Sequence, residues 1–427
     1  MTGVAMAFNA GKRVKRQVRG GVIAALDVGT TKVCCFIARV EDGGVLRITG
    51  IGHQVSRGLR AGTIVDMDAA EQAIGTTVHT AEQMAGETIR EVLVNISGGQ
   101  PTSQTSNVEV PIGGHEVNNA DVRRALAQAR QFQGGADQEL IHSIAVGYAI
   151  DGNRGIRDPR GMFGDKLGVQ LHTVTAGSSA VRNLTTCIAR CHLDIDSFVV
   201  SPYAAALAAL VEDEMELGCT LIDMGGGTTT ISVFFDGKCV YTDCVPVGGA
   251  HVTNDIARGL TTPVAHAERM KTLYGSAIAN AADEREIIDV PQVGEDEPSQ
   301  ANHVQKSLLV GIIQPRLEEI FELVRARLEV SGMGKVAGRR VVLTGGASQL
   351  PGMRDLAQLI LDKQVRLGKP MRINGLADAT GGPAFSTAAG LLAFAVQSQA
   401  ELPGFSAEDE PPKHLWGRVG FWLKENL

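Results

Sequence analysis

Aromatic side chains are scarce in this chain, 4% of 427 residues, and tryptophan occurs only twice, at Trp416 and Trp422. Basic charge is not in excess either: 40 Lys and Arg against 47 Asp and Glu leave a net charge of −7. That excludes a general nucleic-acid binder, whose phosphate contacts need a basic footprint. None of the seven cysteines stands in a C-x-x-C spacing, which leaves neither a disulfide framework nor a zinc site. Cys34 and Cys35 are neighbours that point to opposite faces of a strand, as small core residues. Long apolar runs are missing. The best stretch, Ala388 to Val396, is nine residues, about half of the ~20 a membrane-spanning helix needs. The basic run Lys12, Arg13, Lys15, Arg16 and Arg19 is not followed by the apolar segment of a secretory signal. The remainder, 44% hydrophobic and 20% charged, fits a soluble globular body of two or three domains. Glycine is plentiful at 51 residues, so tight turns and close approaches of backbone to ligand are expected.

An internal repeat organises the chain. The first copy runs Val22-Ile-Ala-Ala-Leu-Asp27-Val-Gly29-Thr30-Thr31-Lys32, then a β-branched strand to Val40, an Asp42-Gly43 turn and a third strand to Ile51. The second runs Thr220-Leu-Ile-Asp223-Met-Gly225-Gly226-Gly227-Thr228, then a strand to Phe235, an Asp236-Gly237 turn and a strand to Val245. Each copy reads as a three-strand meander broken by a D-x-G turn and a D-G hairpin whose residues supply positive φ. The two aspartates lie 196 residues apart, far too long a period for a solenoid, so a duplicated α/β domain is expected.

Helical periodicity follows each meander. Asp66 or Asp68 caps a helix over 69–85, and Gly249–Leu260 leads into another around 253–258. Between the copies, 92–112 read as strands, 120–132 as a helix capped near Asn119, and 139–151 and 166–177 as strands, a small α+β insertion. Helix (178–193), strand (196–201) and an Ala-rich helix (202–212) follow. Residues 265–330 read as mostly helical apart from the acidic loop Gly294–Pro298, before a strand at 340–343 and helices ending near Val396.

A D-x-G-x-T turn offers backbone amides and a hydroxyl at the mouth of a hairpin, and such nests bind anions. Two copies, one opening each half, can clamp a polyphosphate from opposite sides: Gly29, Thr30, Thr31 and Lys32 from one, Gly225, Gly226, Gly227 and Thr228 from the other. Asp27 and Asp223 then face each other and hold Mg²⁺ through waters; the alternative is plain strand-end capping. A third turn, Thr344-Gly345-Gly346-Ala347, lets a flat base lie against backbone. Glu268 and Lys271 share a helix face at i and i+3 and suit ribose hydroxyls, or form a surface ion pair.

These turns resemble those of the actin-like ATPase superfamily. Within it the chain is similar to the FtsA family of bacterial cell-division proteins over almost its whole length, through Gly58–Asp66, Tyr148–Asp151, Val252–Ile256, Ala267–Lys271, Ile313–Arg316 and Thr344–Leu350. The resemblance implies an actin-like α/β fold of two duplicated ribonuclease-H-like lobes with an inserted 1C-type α+β subdomain and a C-terminal amphipathic helix. The expected segments are a basic disordered arm (1–20), first-lobe core (21–96 and 178–212) and the insert (97–177). Then come second-lobe core (213–260 and 337–396), a helical 2B-type subdomain (261–336), a flexible linker (397–412) and the amphipathic helix (413–427). It further implies ATP with Mg²⁺, filaments of the protein itself on the cytoplasmic face of the membrane at the septum, and binding of the C-terminal peptide of the tubulin homologue FtsZ. Later division proteins are implied partners too. Arg316 matches an arginine at the start of a helix in the family pattern and is the expected contact for the carboxylates of that peptide. One departure concerns catalysis. DnaK-type chaperones and MreB carry Glu-Pro-x-Ala-Ala-Ala where this chain has Ser201-Pro-Tyr-Ala-Ala-Ala206. Serine is a poor general base, so a nucleotide site with at most slow hydrolysis is expected. A soluble sugar or acetate kinase and a pilus-assembly actin homologue remain the alternatives.

The tail reads as a membrane foot. After an acidic, Pro-bearing linker, Leu415, Trp416, Val419, Trp422, Leu423 and Leu427 fall in one helical arc, with Lys413, Arg418 and Lys424 opposite. The other reading is a helix docked on the body. The apolar gain of six side chains and the cost of ordering the segment are of similar size, so one foot binds reversibly. A filament carrying many feet binds anionic lipid firmly.

Overall fold

A computed structural model describes residues 21–41, 45–130, 135, 137–294, 302–371 and 373–400. The basic arm, the Asp42-Gly43 turn, most of the acidic loop and the expected membrane foot lie outside the described residues.

The first meander is β1 (Val22–Val28), β2 (Lys32–Val40) and β3 (Leu46–Val55), followed by a short hairpin β4 (Leu59–Arg60) and β5 (Thr63–Ile64). Helix α1 (Met67–Ala85) then begins at Asp66, whose carboxylate accepts from Ala69 N, and ends at the left-handed Gly86. Strand β6 (Glu91–Ile96) leads into the insert: β7 (Thr102–Pro111), α2 (Asn119–Arg130), β8 (Gln138–Ile150), β9 (Asn153–Ile156) and β10 (Lys166–Gly177). The chain returns through α3 (Ser178–Arg190), β11 (Asp194–Val200), α4 (Ser201–Ala209) and α5 (Glu212–Leu217). The second meander is β12 (Cys219–Met224), β13 (Thr229–Phe235) and β14 (Lys238–Val245). Helices α6 (Gly249–Gly259) and α7 (Val264–Tyr274) follow, then the hairpin β15 (Ile287–Val290) and β16 (Asn302–Gln305), α8 (Lys306–Val330) and α9 (Met333–Val336). The chain closes with β17 (Arg340–Thr344), α10 (Met353–Leu361), β18 (Gln364–Leu367) and α11 (Ser386–Ala400).

The duplication is plain in the sheets. Strand order is β11-β6-β1-β2-β3 in one lobe and β14-β13-β12-β17-β18 in the other, an antiparallel meander extended by two parallel strands each time. Asp27 pairs with Cys34 and Asp223 with Thr230, so both carboxylates stand at the same register, one pair from the turn. Cys34 and Cys35 enter different core clusters on the two faces of the first sheet. All seven cysteines are free, and burial pushes the Cys35 thiol up to about 12.

The two lobes share one interface. Every residue of α4 is buried, and α4 packs on α11 so closely that a Cβ at Gly390 would strike the Ala204 carbonyl. The cluster around these helices joins Ile23, Phe36 and Val199 of the first lobe to Leu221, Phe234 and Val342 of the second. Small side chains let the helix axes approach.

The insert sheet, ordered β7-β10-β8-β9, docks on both lobes. Ser103 Oγ donates to Thr242 O (2.7 Å) and accepts from Thr242 N (2.8 Å) on β14. His142 Nε2 accepts from Val200 N (2.9 Å) on the first lobe, and burial pushes its pKa down to about 3.

Three differences from the sequence reading have local causes. The 265–330 region contains the β15–β16 hairpin; only the short β-branched run Ile287-Ile288 and the lone Val304 signal it. Helix α11 continues to Ala400, past the point where apolar residues stop. Arg316 lies in the middle of α8 and not at a helix start, because Pro315, a residue typical of first turns, here sits inside the helix.

Candidate nucleotide cleft

Each D-x-G turn closes with one bond of the same kind. Gly29 N donates to Lys32 O (3.0 Å) and Gly225 N to Thr228 O (2.9 Å). The glycines of these two turns do not occupy positive φ, contrary to the reading of every turn residue as a supplier of it. They are required by closeness: a Cβ at Gly29 would lie 2.8 Å from Lys32 O. Positive φ is confined to the far hairpin, Asp236 and Gly237, where the I′ geometry needs it.

The turns meet tip to tip. A Cβ at Gly226 would lie 2.6 Å from Thr31 Oγ1, and one at Gly227 would lie 2.9 Å from the Thr30 Cβ. Glycine at 226 and 227 therefore lets the second turn rest against the two threonines of the first. Thr30 Oγ1 is itself held by Gly62 N (2.9 Å), and Thr31 O accepts from Ser56 N (3.0 Å). Lys32 reaches across the cleft. Its ammonium lies 3.4 Å from the centroid of the Phe385 ring and donates to Ala384 O.

Behind these turns Asp27 is buried and Asp223 half-buried. Burial pushes Asp27 up to about 7, with Lys32 opposing the shift and Asp223 adding to it. Burial pushes Asp223 up to about 6, opposed by a hydrogen bond from Thr387 and by Lys32. Thr387 Oγ1 donates to Asp223 Oδ2 at 2.9 Å.

The other expected residues join the same cleft through α6. Gly249 N donates to Gly225 O (2.9 Å) and Ala250 N to Gly226 O (2.8 Å), seating the first turn of α6 on the second glycine turn. Lys271 Nζ then binds Gly249 O (3.1 Å), Thr253 Oγ1 (2.8 Å) and Glu268 Oε2 (2.7 Å). Glu268 and Lys271 thus form an ion pair, with the lysine largely covered and the glutamate exposed. Gly345 (φ 88°) packs against Asp223, and a Cβ at Gly249 would lie 3.0 Å from the Ala347 Cβ. Gly346 is exposed beside them. Thr228 is buried, its carbonyl closing the second turn. Arg316 is elsewhere: its Nε lies 2.5 Å from Asp255 Oδ2 of α6, and Nη1 pairs with Glu319.

Sequence reasoning missed Asn95, Thr387 and Phe385. Asn95 Oδ1 accepts from Val28 N (2.7 Å), and its Nδ2 donates to Ser201 Oγ (3.1 Å). A lone amide inside the buried run Val92-Leu-Val-Asn-Ile96 was the available signal. Ser201 is buried, and its Oγ accepts from this amide.

The donor set fits a metal-nucleotide complex. Two carboxylates supply hard oxygen, the Lys32 ammonium is near enough to act on both, and glycine amides stand where side chains have no room. Among the described residues no group of three His, Cys, Asp or Glu stands together as a metal cage.

Family models described as cell division protein FtsA and as the SHS2 domain inserted in FtsA match residues 220–390 and 98–175. The chain is 45% identical over 424 residues to the cell division protein FtsA of Agrobacterium fabrum (strain C58), covering 96% of each. Among solved structures it is similar to a PilM-PilN type IV pilus biogenesis complex, at TM-score 0.62 and 17% identity over 88% of this chain and 98% of that one. It is also similar to MreB5 of Spiroplasma citri bound to ADP, at TM-score 0.53 and 15% identity over 90% and 98%. At these identities the two structures speak for the actin-like fold alone.

Proposed function

The chain belongs to the FtsA family, actin-like proteins of bacterial cell division, and from that premise we propose that it binds ATP with Mg²⁺ between its lobes and tethers FtsZ filaments to the membrane. The observation that carries the nucleotide reading is the pair of duplicated turns, touching at their tips, with Asp27 and Asp223 at equal register behind them. Gly29, Thr30, Thr31 and Lys32 serve the phosphates from one side and Gly225, Gly226, Gly227 and Thr228 from the other. Asp27 and Asp223 hold the hydrated cation, which when bound neutralises phosphate charge. Gly345, Gly346 and Ala347 face the base, and Glu268 with Lys271 face the ribose. Ser201 leaves the site without a carboxylate to orient water, so binding dominates over turnover.

Copies of the protein assemble into filaments on the cytoplasmic face of the membrane at the septum. Leu415, Trp416, Val419, Trp422, Leu423 and Leu427 enter anionic lipid as a peripheral foot, and the helical subdomain around α7 and α8 takes the FtsZ C-terminal peptide. Later division proteins complete the partners, and nucleic acid is not one of them. No helix among the described residues is long and apolar enough to cross a membrane. Sedimentation with anionic liposomes tests the reading: the intact chain pellets with Mg-ATP, and a chain ending before Lys413 stays in the supernatant. Equal pelleting of both would overturn the tether.

A further inference from the structure

The two cleft carboxylates are equal by descent and unequal in their surroundings. On the second lobe, Thr344 is the parallel partner of Asp223, and its hydroxyl lies 2.6 Å from the hydroxyl of Ser386 at the start of α11. On the first lobe, Asn95 follows Val94, the parallel partner of Leu26, and its amide donates to the hydroxyl of Ser201 at the start of α4. Asn95–Ser201 and Thr344–Ser386 are therefore counterparts, and so are α4 and α11. The next residue differs. It is Thr387 at the second position of α11, whose hydroxyl binds Asp223 Oδ2, and Pro202 at the second position of α4, which has no donor to give Asp27.

The consequences reach both oxygens of Asp223. Oδ2 accepts the Thr387 hydroxyl at 2.9 Å, and Oδ1 lies so close to Gly345 that no Cβ fits there. Thr387 is only 7% exposed, on a helix gripped by α4, so its rotamer is fixed by packing. Asp27 accepts no hydrogen bond among the described residues, so no donor fixes the orientation of its carboxylate.

We propose that Thr387 is a positioning residue that locks Asp223 as the fixed carboxylate toward the divalent cation, while Asp27 adapts to it. The proposal rests on the metal-nucleotide reading of the cleft. A hydroxyl behind a ligand orients its lone pairs, and loss of such a partner weakens metal binding about 10–100-fold.

The test measures the Mg²⁺ concentration that half-saturates binding of a fluorescent ATP analogue to the full chain. Thr387→Val keeps the shape and removes the donor; it should raise that concentration about tenfold or more, leaving nucleotide affinity in EDTA unchanged. Thr387→Ser restores the donor and should return to within about twofold of the unaltered protein. An unshifted Val variant overturns the proposal while leaving the cleft reading intact. A Ser variant as impaired as Val also overturns it, by assigning the effect to packing. If the unaltered protein binds nucleotide without Mg²⁺ dependence, the metal reading itself falls and the proposal with it.

Discussion

Replacing Asp27 by asparagine should stabilise the nucleotide-free protein at alkaline pH while harming its nucleotide site. In the folded chain, burial raises this carboxyl from 3.8 to about 7 against the pull of Lys32. Its folded pKa exceeds its unfolded one. The stability it lends is therefore complete below about pH 4 and is lost as pH rises through 7. At 1.36 kcal/mol per tenfold change in proton affinity, the ionised group costs about 4 kcal/mol at pH 8. Asparagine keeps the shape without the charge, and no hydrogen bond onto Asp27 among the described residues is sacrificed. Thermal unfolding of both proteins without nucleotide or divalent cation reads the effect. The Asp27→Asn midpoint should exceed the unaltered one by about 5 °C at pH 8 and by about 2 °C at pH 5. His142 and His172, buried neutral with pKa values pushed down to about 3 and 4, act in the opposite direction on acidification. They are the same in both proteins and cancel in the difference. A gap that does not grow with pH, or a variant less stable at pH 8, would refute the claim that the carboxylate is stored against its own solvation. Asp223→Asn should behave alike with a smaller gap, because its pKa rises only to about 6.

Hydrolysis should be slow or undetectable in the presence of Mg²⁺, since Ser201 stands where DnaK-type chaperones and MreB carry a glutamate; turnover of about 10 s⁻¹ or more, typical of metabolic enzymes, would contradict this. Arg316→Glu should weaken binding of an FtsZ C-terminal peptide and leave ATP affinity intact. It also breaks the ion pair to Asp255, so a stability loss of about 1 kcal/mol is expected, and Asp255→Asn is its control. Equal peptide loss in both variants would assign the effect to the α6–α8 contact. Trp422→Glu places a carboxylate in the apolar arc of the tail, at a cost of several kcal/mol on membrane burial, and should abolish liposome pelleting with folding and ATP binding unchanged. If the variant unfolds instead, the tail is docked on the body.

Much of the fold was legible because duplication repeats its own evidence. Two D-x-G turns each followed by a D-G hairpin fixed both meanders, and Asp66 announced α1. The hairpin of β15 and β16 was not legible, because four-residue strands inside a helical region carry too little periodicity. At the site, the turn residues declared themselves through glycine and threonine spacing. Thr387 did not, since a threonine opening an Ala-rich helix reads as a cap. Its role shows only in the fold, where its hydroxyl meets Asp223, 164 positions earlier in the chain. Arg316 misled for a related reason: proline beside it signals a helix start in sequence, and only packing shows α8 running through it.

On the proposed function, the duplicated aspartates jointly hold a hydrated divalent cation on a nucleotide between the lobes. Crystals of the protein with Mn²⁺ and a non-hydrolysable ATP analogue test this through the anomalous signal of manganese. A single peak is expected in the cleft between Asp27 and Asp223, in contact with the phosphates. Nucleotide density with no manganese peak there, or a peak elsewhere on the chain, would contradict it.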